Sequence, residues 1–348
     1  MNLMIDTPGV YLHVKDEMFE VRKKDLKTGE VQKQAFAPQN VTSMMLSPGV
    51  ALSVDVVALA VKHQVEIVFV QPDGHPYGRV WQARPGSTTR IRKRQLEASL
   101  GPEGLAAVRE WLVRKLDNQI GMLTDMKKHR SQLHGYLDEQ VGRIVEGRDK
   151  IAAVTGGRCD EVAESLRGWE GTAGRCYFEA LGVAIPKDWT FAGRSMRPAR
   201  DPFNAALNYA YGILYSQTER ALLIAGLDPY VGFMHRDDYN LKSMVFDFIE
   251  PYRIHAERVV FRMFAGKQVR QSHFDAITNG VSLNGEGKAA LVELFFAYVR
   301  DEKVRHRNRN LSRIHAMQLE AHRFANGLIG KDPDDAPDLV RVSLGGEA

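Results

Sequence analysis

The first quarter of the chain carries apolar and polar residues in the pattern of β-strands with one helix. Apolar and polar residues alternate, at least in part, over two segments, and two further segments are short apolar runs. The four expected strands cover residues 11–14, 18–21, 41–46 and 65–70. Residues 53–63 have apolar side chains at helical spacing, with Ser53 as the expected N-cap. One helix among about five or six strands predicts a small β-sandwich or bent sheet.

From residue 90 onward, the apolar positions change to the spacing of α-helices. Helices are predicted over residues 104–126, 160–181, 201–225, 244–264, 288–299 and 312–328. Asp160 is a suitable N-cap for the second of these helices. Asp201 caps the third, where Pro202 occupies the first helical position and loses no hydrogen bond. Gly226 is expected to end that helix.

A change of composition at Arg84-Pro85-Gly86-Ser87 indicates a linker between two domains. We expect an N-terminal β domain over residues 1–83, a linker over residues 84–89 and a mainly α-helical domain over residues 90–330. Residues 331–348 are polar and acidic and contain prolines, which is typical of a disordered tail. The predicted fold class is therefore α+β, with the sheets and the helices in separate domains.

The composition is that of an ordinary globular protein. Apolar residues make up 44% of the 348 residues, charged residues make up 26%, and the formal net charge is +4. A balance this mildly basic does not by itself indicate a nucleic-acid partner. Cys159 and Cys176 are too few for a disulfide framework, so we expect free thiols. Neither a cleavable leader nor a bilayer-spanning apolar run is evident, and we expect a cytoplasmic protein with no membrane partner.

Two acids lie in an apolar segment of the helical domain. If residues 245–250 are helical, Asp247 and Glu250 lie one turn apart on one face, among valine, phenylalanine and isoleucine side chains. Carboxylates in such surroundings are costly to bury unless a cation or metal ion pairs with them, and His235 lies just upstream. Pro251 removes a helical hydrogen bond and predicts a kink beside the two acids. The alternative is a solvated acid pair and an ordinary polar histidine.

Glu170 is the candidate for a third acid because of the glycines around it. Gly168, Gly171 and Gly174 interrupt a predicted helix, where each glycine costs about 1 kcal/mol relative to alanine. They indicate close approach by another backbone or by a ligand, and tight helix–helix packing explains them equally well. One histidine with two carboxylates suits Mg²⁺ or Mn²⁺ better than a structural Zn²⁺.

Basic residues form three clusters along the chain. The clusters are Arg84, Arg90, Arg92, Lys93 and Arg94 at the domain junction, Arg194, Arg197 and Arg200 in an aromatic-containing segment, and Arg305, Arg307, Arg309 and Arg313. Arginine matches the geometry of phosphate, and aromatic rings stack on unpaired bases. Taken alone, each cluster is more often a solvated surface. Beside a candidate metal site, the three together favour phosphodiester chemistry.

Five motifs, in order, resemble those of the CRISPR-associated endonuclease and integrase family, the catalytic subunit of spacer acquisition. The motifs are Lys115-Leu116-Asp117-Asn118-Gln119, Trp169-Glu170-Gly171-Thr172-Ala173 with Tyr177-Phe178, Arg197-Pro198-Ala199-Arg200-Asp201-Pro202-Phe203-Asn204-Ala205 followed by Asn208-Tyr209-Ala210-Tyr211, Gly232-Phe233-Met234-His235, and Ser243-Met244-Val245-Phe246-Asp247-Phe248-Ile249-Glu250-Pro251-Tyr252-Arg253. The resemblance extends over about residues 8–330, and the overall pattern is most similar to the type I-C variety.

The resemblance implies which side chains perform the chemistry. Glu170, His235 and Glu250 would bind the metal ion, with Asp247 as a supporting acid of the catalytic site. Motif positions that line the DNA site would be Tyr177, Asn204, Asn208, Tyr209 and Arg253. From the basic clusters, the residues expected to bind DNA are Arg84, Arg90, Arg92, Lys93, Arg94, Arg197 and Arg200. The family fold, a β domain followed by a helical catalytic domain, agrees with the pattern described above.

The resemblance also implies a reaction and its partners. The 3′-hydroxyl of a captured DNA fragment would attack a phosphodiester at the edge of a CRISPR repeat, and water in its place would make the site a nuclease. Expected partners are double-stranded DNA, a second copy of the chain, and a small second adaptation subunit in a heterohexamer. Some subtypes add an iron–sulfur nuclease that trims the DNA. Two alternatives stay open: a metal-dependent repair nuclease without integration, and a non-catalytic DNA-binding scaffold.

Overall fold

The computed structural model describes residues 2–24, 30–41, 43–63, 65–71, 76–80, 89–235 and 241–332. Within these ranges, strands dominate the first part of the chain and helices the second, and the predicted α+β fold class is confirmed. Arg84, the expected linker up to residue 88 and the expected tail from residue 333 lie outside the described residues.

The N-terminal part forms two four-stranded sheets with one helix. The first sheet has the order β1 (Asn2–Ile5), β5 (Ser43–Leu46), β7 (Glu66–Val70), β8 (Pro76–Val80), and the second has the order β4 (Val31–Phe36), β3 (Met18–Lys24), β2 (Val10–Lys15), β6 (Ala51–Leu52). In the first sheet, β1, β5 and β7 are parallel and β8 is antiparallel. Helix α1 (Val54–Lys62) follows Ser53, whose side chain makes no capping hydrogen bond. All four predicted strands are present, and the edge strands β1, β4, β6 and β8 are the ones that the pattern did not reveal.

The first sheet is buried on both faces. Met44 and Ile67 join the core of the N-terminal part, where they pack with Leu12 and Phe19 of the second sheet. Their neighbours Met45, Val68 and Val70 belong instead to the core of the helical part. Burial on both faces is why residues 67–70 of this strand are a continuous apolar run rather than an alternating one.

The second part is mainly helical. Its helices are α2 (Thr89–Ser99), α3 (Pro102–Lys127), α4 (His134–Ala152), α5 (Cys159–Ala184), α6 (Pro202–Ile224), α7 (Ser243–Phe248), α8 (Arg253–Ala265), α9 (Gly285–Phe296) and α10 (Arg313–Leu328). Helix α5 begins at Cys159, so its N-cap is Arg158, two residues before the expected Asp160, which lies instead in the first turn. Cys159 and Cys176 are both buried free thiols. No helix within the described ranges has the length and apolarity needed to cross a bilayer.

Two short hairpins were not predicted. They pair β9 (Phe274–Ile277) with β10 (Gly280–Leu283), and β11 (Lys303–His306) with β12 (Arg309–Ser312). Asn279 in the first turn has a φ of 59°, and Arg307 and Asn308 in the second have φ values of 44° and 65°. Asn279-Gly280 is a dipeptide that marks turns, so the first hairpin had a signal in the sequence.

Helix α6 lies at the centre of the helical part and is buried along most of its length. It begins as predicted: an Asp201 carboxylate oxygen accepts the backbone N–H of Asn204 at 2.8 Å, with Pro202 at the first helical position. It ends before Gly226, whose φ of 83° is in the left-handed region. Because α6 contacts α7, α8, α9 and α10, it supports the elements that carry the candidate site.

Candidate active site

The apolar segment with its two acids is not a single helix. Helix α7 ends at Phe248, Glu250–Tyr252 form one 3-10 turn, and α8 starts at Arg253. Pro251 has no N–H to continue the α-helix, which is the physical cause of the predicted interruption. Asn118 of α3 donates its side-chain amide to the Pro251 carbonyl at 2.8 Å, so the turn is fixed from the opposite side.

Asp247 is buried, and its carboxylate accepts hydrogen bonds from the segment that carries His235. Its Oδ2 accepts the backbone N–H groups of Phe233 at 2.6 Å and Met234 at 3.1 Å. Its Oδ1 accepts the N–H of His235 at 3.2 Å and lies 2.5 Å from the Nδ1 of the same residue. A Cβ on Gly232 would lie 2.9 Å from Asp247 Oδ2 and 2.5 Å from the Ser243 Cβ. Only glycine fits there, which explains the Gly-x-x-His spacing.

This arrangement leaves His235 with one ring nitrogen available. A carboxylate that accepts the Nδ1 proton sets the tautomer and leaves the Nε2 lone pair free. The side chain of His235 is 31% exposed. It faces a cavity on one side and, on the other, a groove lined by Arg158 and Arg167.

Glu170 and Glu250 meet at the amino group of Lys115. Lys115 of α3 contacts Glu170 Oε1 of α5, and its Nζ is 2.6 Å from Glu250 Oε2. Glu250 Oε1 also accepts a hydrogen bond from Arg253 Nε at 2.9 Å. Burial alone would raise the pKa of Glu250, but the charges of Arg253 and Lys115 outweigh it and hold that pKa at about 2. The Glu250 carboxylate is therefore ionised at neutral pH.

The three predicted metal ligands line one cavity of about 480 Å³. Glu170, His235 and Glu250 come from separate elements, and Arg197 and Arg253 line the same space. Within the described ranges, no three His, Cys, Asp or Glu side chains lie close enough together to form a metal site as they stand. The three predicted ligands thus line the same cavity, but Lys115 contacts both carboxylates and lies between them.

The donor set suits a hard divalent cation. It combines two carboxylates with an imidazole nitrogen, a mixture compatible with Mg²⁺ or Mn²⁺. Glu250 Oε2 is buried and has an ion contact to Lys115 but no hydrogen bond among the described residues. The Lys115 ammonium compensates the charge of this buried oxygen.

A family model confirms the resemblance. The model described as "CRISPR associated protein Cas1" matches residues 3–296. The chain belongs to the Cas1 family.

Relatives and solved structures of this family extend over nearly the whole chain. The CRISPR-associated endonuclease Cas1 1 of Archaeoglobus fulgidus is 29% identical over 323 residues, which is 90% of this chain and 92% of that protein. A casposase bound to integration product aligns with a TM-score of 0.79 and 20% identity, covering 96% of this chain and 93% of the other. A chain of a Cas6-RT-Cas1–Cas2 complex aligns with a TM-score of 0.75 and 20% identity over 96% of this chain and 35% of the other. At these identities the two structures establish the Cas1 fold.

Three of the residues expected to contact DNA are buried. Tyr177 and Asn204 are fully buried and Tyr209 is 5% exposed. The Tyr177 hydroxyl lies 3.0 Å from Met122 Sδ, and Tyr209 packs against Met4 of β1. In this protein these side chains pack in the interior, because the helices that carry them turn those positions inward.

Asn204 and Asn208 instead anchor the loop before α6. Asn204 Oδ1 accepts from Arg194 Nη1 at 2.6 Å and from the Ser195 N–H at 2.9 Å. Asn208 accepts from Arg194 Nη2 at 2.9 Å and donates to the Met196 carbonyl at 2.6 Å. Asn208 lines the cavity, whereas Asn204 only supports it. The loop is therefore rigid, and Arg197 projects from it into the site.

The cluster at the domain junction is not part of this cavity. Arg90, Arg92, Lys93 and Arg94 lie on α2, and Arg90 and Arg94 line a separate cavity of about 850 Å³. Arg90 donates to the Ile329 carbonyl at 3.2 Å, and Arg94 pairs with Glu97 at 2.5 Å. Arg200 is exposed on the loop but does not line the candidate site. Of the arginines predicted to bind DNA, the structure brings Arg197 and Arg253 to the site.

The glycines around Glu170 face open space. A Cβ added at Gly168, Gly171 or Gly174 would meet nothing within 4 Å. The expectation of close backbone approach or tight helix packing at these positions is wrong. Gly174 lines the cavity, so the open face of α5 borders the site.

Sequence reasoning did not assign a role to Lys115, although it lies in the Lys-x-x-Asn-Gln motif. That motif places Lys115 between the two carboxylates and Asn118 on the Pro251 carbonyl. Tyr211 was also missed; its hydroxyl donates to the buried Glu257 at 2.7 Å beneath the cavity.

Proposed function

We propose that this Cas1 family protein is a metal-dependent DNA endonuclease and integrase of CRISPR adaptation. The observation that supports the proposal is the convergence of Glu170, His235 and Glu250 on one cavity, although they are far apart along the chain. Glu170, His235 and Glu250 would hold Mg²⁺ or Mn²⁺, and Asp247 would orient His235 without touching the ion. The bound ion supplies a Lewis acid that favours deprotonation of the attacking hydroxyl and neutralises charge at the phosphate.

The reaction that fits this cavity is transesterification of DNA. The 3′-hydroxyl of a captured fragment attacks a repeat phosphodiester, and the 3′-oxygen of the repeat strand leaves. Arg197 and Arg253 line the cavity and present guanidinium groups to a phosphate there. Stacking of the Arg253 guanidinium on the Tyr211 and Tyr215 rings, 5.2 and 5.5 Å from their centroids, limits its movement and orients it. No side-chain nucleophile is needed, because the hydroxyl of the DNA or a water molecule attacks directly.

The proposed partners are DNA, a second copy of this chain and a Cas2-type subunit. The related chain of known structure comes from a complex whose name includes Cas2, and the related casposase is bound to integration product. The homodimer, the heterohexamer and an iron–sulfur trimming nuclease rest on the family resemblance alone.

An integration assay tests this function. Full-length protein would be incubated with its adaptation partner, a labelled DNA fragment, a plasmid carrying the repeat, and Mg²⁺ or Mn²⁺. His235→Ala and Glu250→Ala should bind DNA almost normally and join none of it, whereas the exposed Asp149→Ala should join at the wild-type rate. Cleavage without joining by the wild type would favour a repair nuclease. Unchanged activity in both site variants would refute the site assignment and favour a scaffold role.

A further inference from the structure

The amino group of Lys115 lies where the two carboxylates of the proposed metal site meet. Lys115 comes from α3, Glu170 from α5 and Glu250 from the 3-10 turn, so one side chain joins three elements. Its Nζ contacts Glu170 Oε1 and Glu250 Oε2, the second at 2.6 Å, and the lysine side chain is only 9% exposed.

The three groups stabilise one another in their charged forms. The Lys115 amino group lies within ion-pair distance of one oxygen from each carboxylate, so its charge compensates theirs. Removing one member of a buried ionic cluster leaves the others without compensation, which is strongly destabilising. Arg253 partly replaces the lost charge at Glu250, since it reaches Oε1, but Lys115 is the ion-pair partner seen for Glu170 among the described residues.

A divalent cation and this ammonium group would use the same oxygens. A metal ion bound by both carboxylates needs oxygen contacts of about 2.0–2.1 Å. Lys115 already contacts one oxygen of each carboxylate. Both cations cannot occupy that space together. The lysine has a flexible four-carbon stem, so its amino group can withdraw into the cavity without a change in α3.

We propose that Lys115 is a resident counter-ion that occupies the space between Glu170 and Glu250 and that the metal ion must displace. This inference rests on the proposed metal site. It predicts that the lysine keeps the ligands assembled in the metal-free protein and, by competing with the metal, makes metal affinity lower than the ligands alone would allow. If Lys115 instead served only to position Glu250 beside a metal bound elsewhere in the cavity, its removal would weaken metal binding.

Metal titrations of the full-length protein separate these roles. Lys115→Met removes the charge and keeps most of the volume. Lys127→Met is the matched control, because Lys127 is on the same helix and pairs with Asp138 away from the cavity. The dissociation constant for Mn²⁺ would be measured by calorimetry, and the melting temperature would be measured with and without Mn²⁺.

If the metal ion displaces Lys115, removing the lysine charge should destabilise the metal-free protein and strengthen metal binding. Without metal, Lys115→Met should melt at a lower temperature than wild type. It should bind Mn²⁺ at least about tenfold more tightly than wild type, and Mn²⁺ should raise its melting temperature by more than it raises that of wild type. Lys127→Met should bind Mn²⁺ as wild type does. Equal or weaker Mn²⁺ binding by Lys115→Met, with wild type still binding, would overturn the inference but leave the metal site intact.

Two further variants keep the test decisive. If Lys115→Met cannot be recovered folded, Lys115→Gln is measured in the same way and has the same two outcomes. Glu170→Gln reports on the site itself and should weaken Mn²⁺ binding. Absence of Mn²⁺ binding in wild type and in every Lys115 variant would overturn both the inference and the metal-dependent function.

Discussion

Asp247 Oδ1 lies 2.5 Å from His235 Nδ1, and the same carboxylate accepts the backbone N–H groups of residues 233, 234 and 235. A single buried acid thus fixes both the imidazole ring and the segment of backbone that carries it. The sequence predicted that Asp247 would need a partner in its apolar surroundings. The partner is the His235 segment, and Glu250 is the acid that faces the cavity.

Asp247→Asn should therefore impair the site, although Asp247 itself does not line the cavity. The amide replaces one accepting oxygen with an NH₂ group that faces backbone donors, so the His235 ring loses its fixed orientation. We expect the integration rate and Mn²⁺ affinity to fall by about 10–100-fold, as for other residues that orient a metal-binding histidine. Joining rates and calorimetry measure the two effects. Asp149→Asn, an exposed surface change, is the control, and wild-type joining by Asp247→Asn would contradict the assigned role.

Arg197 lies in the loop before α6 and Asn204 in the first turn of α6, and the two residues should respond differently to mutation. Arg197→Ala removes a cavity-lining guanidinium and should weaken DNA binding, with the salt dependence of log Kd reduced by about one unit of slope. Asn204→Ala leaves buried partners without hydrogen bonds and should cost about 1–3 kcal/mol of unfolding free energy. Fluorescence anisotropy at several salt concentrations and urea denaturation make the comparison. A stable Asn204→Ala with selectively lost DNA binding would restore Asn204 as a DNA contact.

A buried ionic network connects the first sheet to the helical part. Arg79 of β8 pairs with Glu66 of β7 at 3.1 Å and with Glu219 of α6 at 2.9 Å. Glu219 also pairs with Lys242, which immediately precedes α7, at 2.9 Å. Burial raises the pKa of Glu66, so this carboxylate depends on its arginine partners to stay charged.

Arg79→Met should destabilise the protein by about 3 kcal/mol or more, because two buried carboxylates lose their shared cation. Urea denaturation at neutral pH measures this change. The matched control is Arg148→Met, since Arg148 makes its ion pairs with Asp117 and Asp149 at the surface and should change stability by less than about 1 kcal/mol. Similar losses in both variants would show that burial does not distinguish the two networks.

His255 should make the protein sensitive to acid. Burial, reinforced by the charges of Arg313 and Arg258, lowers the pKa of His255 to about 3. The unfolded chain takes up a proton near pH 6.5 and the folded protein does not, so stability is lost as the pH falls from about 6.5 toward 3. Between pH 7 and pH 5, we expect the unfolding free energy of His255→Gln to fall by about 1–2 kcal/mol less than that of wild type.

Urea denaturation at several pH values tests this prediction. His129→Gln is a suitable control, because His129 is exposed and should leave the pH dependence unchanged. Parallel pH profiles for wild type and His255→Gln would show that the ring is not held neutral in the folded protein.

The sequence by itself determined the local elements and the chemistry available to them. Asp201-Pro202 and Gly226 set the two ends of α6, Pro251 interrupted the acidic segment, and apolar spacing revealed several helices and four strands of the N-terminal sheets, because each of these signals acts through nearby backbone atoms. The apolar spacing did not delimit α2 or α4. The motifs also supplied the family.

Tertiary structure alone decided which side chains meet. It brought Glu170, His235 and Glu250 to one cavity, directed Asp247 to His235 and placed Lys115 between two carboxylates. It also buried Tyr177, Asn204 and Tyr209. Contacts between distant segments depend on how helices pack and which face each one turns inward, and no spacing within one segment encodes that.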